Sequence, residues 1–541
     1  MRAMLKAIQT EHGWKESLAA VFQRQVFYMS LLGFSAGLPL LLIFSSLSLW
    51  LREAGIDKSA VTYFSWAALG YSFKFVWAPL VDCLPIPGLT RWLGLRRSWL
   101  LLSQLGIAGA ITLMATSNPI IEAELFYMAM GAVLLGFSAA TQDISIDAYR
   151  IEAVDADMQG LVSASYIAGY RIGMIVSGAG ALYLASYFGT TKDLYNYQAW
   201  QWSYHIMSAF VLVGILATFL ITEPIKRESQ FEHAPKHYSG LLLAFVLCVT
   251  GFVTIFVISS DAATESKAYF TGLFGNQALS GLLVELIRLC IGLAIAVGIG
   301  KICIVMRIVN EEMFVNSYVA PIKQFFQDYG LKTAWLLLAL IGLYRISDIV
   351  LGVVSNIFYQ DLGYSKNEIA DAVKLFGLIM TIFGGFIGGI LAMRLGVMRM
   401  LFIGAALVVI TNLAFIILLY TDHNLYALYS IVAADNLVAG LASAAFVAFL
   451  SSLVNIKFTA MQYAIFSSLM TLLPKALAGY SGGIVESIGY TGFFTFAASI
   501  GVPIMILVVL VSRHLGVDIE HSESDSSNQQ KTQEGFAPSE K

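Results

Sequence analysis

Stretches of about 20 mostly apolar residues, each long enough to cross a bilayer as a helix, recur roughly fourteen times along this chain. No other feature constrains it so tightly. In hydrocarbon a segment has no water to bond its backbone N–H and C=O groups, and only a helix or a closed barrel satisfies them internally. The expected spans are about 25–51, 60–82, 98–116, 124–149, 160–187 and 203–222, then 240–260 and 279–306, then 332–358, 367–392, 399–420, 425–452, 460–485 and 492–513. Composition agrees. The 541 residues are 58% hydrophobic and 12% charged, where soluble domains carry about 25% charged residues, and the mean hydropathy is +0.75. A formal net charge of -3 provides no basic field, so no nucleic-acid partner is expected.

Lys and Arg set the expected orientation, because they are retained on the cytoplasmic side. With the N-terminus inside, roughly 21 basic residues fall on cytoplasmic segments and about 5 on periplasmic ones. Arg91, Arg96 and Arg97 in one loop, and Arg394 and Arg399 in another, contribute most clearly. Both termini are thus expected in the cytoplasm, with the chain in a bacterial inner membrane. Residues 1–24 lack a signal-peptide apolar region and cleavage site, so the first span is expected to stay as an anchor. The tail at 514–541, rich in Ser, Gln and Glu, is expected to be disordered.

An internal repeat defines the organisation. Leu51-Arg52-Glu53-Ala54-Gly55-Ile56-Asp57-Lys58 is similar to Tyr359-Gln360-Asp361-Leu362-Gly363-Tyr364-Ser365-Lys366, and Arg171 with Ser177-Gly178 matches Lys475 with Ser481-Gly482 at equal spacing. The expected fold is therefore an all-α polytopic membrane protein of about 14 transmembrane helices. Two parallel six-helix bundles, at 25–222 and 332–513, rock about a midplane cavity, and segment 223–331 holds linkers and two inserted helices.

Charges inside spans cost about 2.5–3.5 kcal/mol each on insertion scales, so they face water or a partner and mark function. The fourth span carries Gln142-Asp143, Asp147 and Arg150, whose i, i+4 and i+7 positions share one stripe. This reads either as a substrate and proton site or, for Asp147 and Arg150, as a gate or structural ion pair. Asp143 is favoured for chemistry because the related region of the second half, Ala444 to Leu453, carries no charge. The fifth span offers Tyr166, Tyr170 and Arg171, the last either holding an anionic substrate group or neutralising Asp143. The second adds Tyr71, Lys74 and Trp77, an aromatic surface beside a cation or an interfacial belt. In the second half Arg345 and Asp348 form an i, i+3 pair, while Lys374 and Lys475 stand alone in apolar helices. Glu285 and Arg288 can pair within the insertion, which reads as lipid-facing packing. The histidines fall outside mid-span, so any proton relay should use Asp.

Cys83, Cys248, Cys290 and Cys303 have neither disulfide-frame nor zinc spacing, and no metal or resident cofactor is expected. Gly298-Ile299-Gly300-Lys301 lacks the preceding glycine and following Ser or Thr of a phosphate loop, and no H-E-x-x-H or G-x-S-x-G occurs. The chain reads as no enzyme, with the proton gradient as its energy source.

The segment Trp77-Ala78-Pro79-Leu80-Val81-Asp82 followed by Arg96-Arg97 resembles a degenerate signature loop of the major facilitator superfamily. Its counterpart, Gly388-Gly389-Ile390-Leu391-Ala392-Met393-Arg394-Leu395-Gly396, has Met393 where an acid is expected. More specific are Phe34-Ser35-Ala36-Gly37-Leu38-Pro39-Leu40, Phe73-Lys74-Phe75-Val76-Trp77, Ala140-Thr141-Gln142-Asp143-Ile144-Ser145-Ile146-Asp147-Ala148-Tyr149-Arg150 and Gly169-Tyr170-Arg171-Ile172-Gly173-Met174. Together they resemble the AmpG muropeptide permeases of Gram-negative bacteria. The resemblance implies proton-driven import of N-acetylglucosaminyl-1,6-anhydro-N-acetylmuramyl peptides for peptidoglycan recycling, with an effect on beta-lactam resistance. In that setting Asp143 and Asp147 are the candidates for proton coupling. Tyr71, Lys74, Gln142, Tyr170, Arg171, Arg345 and Lys475 are candidates to line the substrate path, and Asp82, Arg150 and Arg394 to form the gate. The expected partners are a small glycopeptide, protons and the lipid bilayer, with the chain a monomer. Another cargo such as acetyl-CoA, or a sensor without transport, remain the alternatives.

Overall fold

The computed structural model describes residues 19–43, 45–56, 71, 73–155, 158–190, 194–224, 235–275, 277–364, 366–478 and 481–516. Among them 12 helices are long and apolar enough to cross a membrane. The all-helical, two-bundle architecture expected from the apolar runs is the one that forms. The first half contains α1 (Arg24–Glu53), α2 (Ala78–Cys83), α3 (Leu95–Ala115), α4 (Glu122–Ala153), α5 (Gln159–Tyr187) and α6 (Tyr197–Leu220). The insertion is α7 (Pro235–Ile258), α8 (Ser260–Phe274) and α9 (Gln277–Val305), and α10 (Ala320–Tyr329) leads into the second half. That half holds α11 (Leu331–Leu343), α12 (Ile346–Asp361), α13 (Gly377–Leu395), α14 (Val397–Leu418), α15 (Leu425–Leu453), α16 (Thr459–Ala478) and α17 (Ser481–Leu515).

Three departures from the expected spans have local causes. The end of the second span is broken: Lys74–Val76 is a 3-10 turn and a helix restarts at Ala78. Pro79 lies in the first turn of that new helix, the one place where its missing N–H and ring are tolerated. The span expected at 332–358 is divided between α11 and α12, with Tyr344 and Arg345 at the junction. The insertion keeps its two expected spans, within α7 and α9, and adds the helix α8 between them. α8 continues beyond the apolar run and closes on Gly275, whose φ of +65° is left-handed and suits glycine.

Helices are driven together in lipid by close packing rather than by the hydrophobic effect, so small residues set the contacts. On the α1–α5 seam a Cβ at Gly33 would stand 2.1 Å from the Tyr166 carbonyl oxygen, and one at Gly169 would stand 1.9 Å from that of Ser30. The second half repeats the device where α13 meets α15: a Cβ at Gly384 would lie 1.9 Å from the Leu437 carbonyl oxygen. Backbone cannot yield as a side-chain tip does. Gly169→Leu is therefore expected to separate α1 from α5 and lower the melting temperature of the purified protein by several degrees. An unchanged melting curve would show that this seam is not tightly closed.

The two halves meet at the end where α4 finishes and α5 begins, here termed the Arg96 end. There Gly389 lies against Leu161 so closely that a Cβ would be 2.8 Å from the Leu161 Cα, and Met393 is buried with Leu161 and Val162. The inserted helices are mostly exposed, with only 17% of the apolar window of α7 and of α9 buried, as a lipid-facing surface requires. Leu241, Ala244 and Cys303 nevertheless join the cluster that packs Trp77, Ala148 and Met461 together, so the insertion also covers the seam between α2 and α16.

Candidate functional site

From Ser138 to Arg150 the α4 side chains are buried at every position except Asp143 and Asp147. These two, four apart on one face, are the partly exposed positions of the stretch. Asp143 lies ten residues before the end of α4 at Ala153, about 15 Å along the helix, near mid-bilayer. It accepts a hydrogen bond from the Tyr166 hydroxyl at 3.3 Å, and the rings of Tyr166 and Tyr170 stand 6.1 Å apart beside it. The Tyr71 hydroxyl is buried, with no hydrogen-bond partner among the described residues, and its oxygen feels the charge of Asp143.

Of the two roles the sequence left open for Arg171, an ion pair with Asp143 does not form, and the cation beside the acids is Lys74. Lys74 is buried, its Nζ is 3.6 Å from Asp147, and its charge acts on Asp143. Asp147 is shared, because Arg150 approaches its other oxygen at 3.5 Å. Gln142 lies elsewhere than the substrate path expected for it. One residue from Asp143 is 100° round the helix, and Gln142 is buried against α1, donating to Ser35 Oγ at 3.2 Å. Trp77 likewise faces α4, donating to Thr141 Oγ1 at 3.1 Å.

At the Arg96 end a polar network crosses from one half to the other. Asp82 accepts from the backbone N–H groups of Ala460 at 3.0 Å and Met461 at 2.9 Å, in the first turn of α16, and from Arg96 at 2.8 Å. A carboxylate there satisfies two donors that the helix cannot satisfy itself and meets the positive end of its dipole. Arg96 is held in turn by Glu152 at 2.9 Å and the Val81 carbonyl at 3.0 Å. Arg150, 1% exposed, donates to Gln159, to Ser163 and, across the halves, to Ser451 at 2.9 Å, with its guanidinium 5.2 Å from the centre of the Tyr463 ring. Among the described residues, the hydrogen bonds joining the two halves directly are those of Asp82 and Arg150. Arg394 lies in the last turn of α13 at the same end. In the second half the place of Asp82 is taken by Met393, so one joint of the closure is polar and the other apolar.

The second half brings Arg345, at the α11–α12 junction, within 3.9 Å of Asp348. Asp435 on α15 was not picked out from the sequence, yet it lies close enough to Asp348 for the two charges to act on each other. Arg171 lies on α5, partly buried, and makes no ion pair among the described residues. The side chains of Lys475, Lys374 and Glu285 lie outside the described residues. Arg288 donates to Ser259 Oγ at 3.1 Å.

Two pseudo-equivalent bundles of membrane-spanning helices, closed at one end over ionisable side chains at mid-depth, define a membrane transporter. Residues 26–344 match the sequence model of the Major Facilitator Superfamily. The chain is 32% identical over 91% of its length to putative transporter AmpG 4 of Rickettsia conorii, covering 98% of that protein. It is 29% identical over 90% of its length to the anhydromuropeptide permease of Escherichia coli K12, covering 79% of that protein. Among solved structures, the proton:xylose symporter XylE aligns with a TM-score of 0.55 at 11% identity, over 89% of this chain and 94% of that one, which establishes likeness of fold alone. The chain belongs to the Major Facilitator Superfamily, within its AmpG branch, and is a multi-pass membrane transporter.

Proposed function

We propose that this transporter imports anhydromuropeptides from periplasm to cytoplasm, coupled to protons that enter with the cargo through Asp143. The observation that carries the reading is the placement of Asp143, a mostly buried carboxylate near mid-bilayer beside the Lys74–Asp147 pair. The cargo is taken from the permease of Escherichia coli to which the chain is similar. The Arg96 end, rich in Arg, is the cytoplasmic one, with both termini on that side of a bacterial inner membrane.

The charge balance of the cluster supplies a coupling mechanism. With Asp143 ionised, Lys74 and Arg150 are matched by Asp143 and Asp147. A proton on Asp143 leaves one positive charge unmatched beneath a closed end that excludes water. Uncompensated charge in a low-dielectric site is costly, so protonation favours opening at the Arg96 end, where water reaches Lys74 and Arg150. Once that end opens to the cytoplasm the proton leaves, charge balance returns, and closure is favoured again. Cargo loaded from the periplasm onto the tyrosines around Asp143 is carried through in the same cycle. No resident cofactor takes part in this scheme.

Proteoliposomes test it directly. Uptake of radiolabelled anhydromuropeptide against its gradient is expected to follow an imposed proton gradient and to collapse to the level of simple equilibration when a proton ionophore is added. Uphill uptake that survives the ionophore would remove proton coupling.

A further inference from the structure

Residues 306–330 carry the chain from the insertion to the second half, and their partners change at Pro321. Asn310 starts a short helix, Glu311–Phe314, by accepting from the backbone N–H groups of Glu312 at 2.8 Å and Met313 at 3.4 Å. That helix runs into a π-helical turn, Val315–Val319, none of whose residues is fully buried, and α10 follows with Pro321 in its first turn. Ala320 donates to the Val315 carbonyl, but proline has no N–H with which to extend the ladder. A wide turn running into a proline is where helices bend.

Before that point the chain is packed on the insertion and on α2. A Cβ at Gly240 of α7 would stand 2.0 Å from the Ile308 carbonyl oxygen, so the two backbones touch, and Phe314 lies against Gly300 of α9. Val309 and Met313 are buried in the cluster that joins the insertion to Ala78 and Val81 of α2. Ser317 Oγ stands 3.7 Å from Cys83 Sγ at the end of α2. The same cluster also receives α16, through Ala460, Met461 and Ala464, short or pliable side chains over which a neighbour can slide.

Beyond that point the partners belong to the second half. The Pro321 carbonyl accepts from Gln462 Nε2 at 2.8 Å, Asp328 accepts from Asn455 Nδ2 at 3.1 Å, and the Tyr329 hydroxyl donates to the Leu453 carbonyl at 3.1 Å. The Phe325 ring packs 5.3 Å from that of Phe466. These bonds tie α10 to the end of α15 and the start of α16, beside the N–H groups that Asp82 answers.

We propose that the insertion, with the chain up to Tyr318, moves as one body with the first half, that α10 moves with the second, and that the chain bends between Val319 and Pro321 when the Arg96 end opens. The inserted helices are then a hinged cover, which shields the seam from lipid while α16 slides away from α2 beneath it. Parting that seam takes Asp82 off the Ala460 and Met461 N–H groups, and lipid offers neither side a replacement partner. Water does, provided that lipid is kept out of the gap. The inference rests on the reading that the Arg96 end opens during transport.

Spin labels carried on unnatural amino acids at Trp92, Met306 and Ile322, all exposed, test it in the full-length protein with its four native cysteines in place. They report on the first half, the inserted body and α10 respectively. Distances are compared in the empty protein, with an anhydromuropeptide added, and in Asp82→Ala. Wherever Trp92–Ile322 lengthens, Met306–Ile322 is expected to lengthen with it while Trp92–Met306 holds. Lengthening of Trp92–Met306 in step with Trp92–Ile322 overturns the proposal and leaves the opening in place. A Trp92–Ile322 distance that stays fixed under all three conditions removes the opening, and the hinge with it. Ser317→Cys, joined to Cys83 by mild oxidation, gives a second measurement: uptake should match that of the reduced form. Uptake lost on joining the pair and restored by a reductant would show that the insertion must leave α2, which overturns the cover.

Discussion

Asparagine in place of Asp143 is expected to abolish concentrative uptake while leaving downhill exchange of cargo intact. One elementary charge moving through 100 mV yields about 2.3 kcal/mol, enough to hold a cargo gradient of about 50-fold for one proton per cycle. Asparagine keeps the shape of the side chain and still accepts from the Tyr166 hydroxyl, 3.3 Å away in the native protein, but it cannot bind the proton. The accumulation ratio should therefore fall from about 50 to about 1. Exchange of labelled for unlabelled cargo across the membrane, which needs no net proton flow, should continue and lose its dependence on pH. The neutral side chain also fixes the cluster at one unmatched positive charge, as protonation does, so the variant should favour the form open at the Arg96 end. Concentrative uptake by Asp143→Asn at the native ratio would remove Asp143 from coupling and leave Asp147 as the carboxylate to examine.

The spans and the first-half site were largely legible in the sequence, because both depend on local regularities. Apolar runs define the helices. Asp143 and Asp147 stand four apart, and the structure leaves those two positions partly exposed on an otherwise buried stretch of α4. What was not legible depends on contacts between distant segments. Asp82 reads as a loop acid in the sequence, but its acceptors are answered by backbone donors 378 and 379 residues further on. Glu223 is not singled out by the sequence; it accepts from the backbone N–H groups of Arg96 at 2.9 Å and Arg97 at 3.1 Å, capping α3 from 127 and 126 residues away. Backbone donors carry no sequence signature. Asp435 escapes notice for another reason: it lies not at the place equivalent to Asp143 but about two turns earlier on α15, where the first half has Leu135. Pseudo-symmetry relates the helices here but not their charges, so each half carries its ionisable groups at a different depth.

That difference bears on how the closure at the Arg96 end is held. One joint, at Met393, is apolar at its centre. The other, at Asp82, is polar, and its rupture leaves donors and a guanidinium unmatched until water reaches them. Asp82→Ala breaks that joint in the closed form alone. The Ala460 and Met461 N–H groups lose their acceptor, and Arg96 keeps only Glu152 and the Val81 carbonyl. Removing one partner of a buried charged pair costs about 3–5 kcal/mol, and the remaining bonds to Arg96 place the expected value at the lower end. In the open form the same groups are hydrated and lose little. The balance between forms should therefore move toward open by about two orders of magnitude, since 1.4 kcal/mol is tenfold. Spin labels at Trp92 and Lys332, both exposed at the Arg96 end, would read this as a shift from a short to a long distance in the absence of cargo. Transport should slow with it, because a protein resting open at this end must close before it can load from the other side. Asp82→Glu, which retains the charge but reaches too far to meet both N–H groups at once, should fall between the native protein and the alanine variant. An unchanged distance distribution in Asp82→Ala would mean that the apolar joint around Met393 and Leu161, with the Arg150 bond to Ser451, holds this end shut without Asp82.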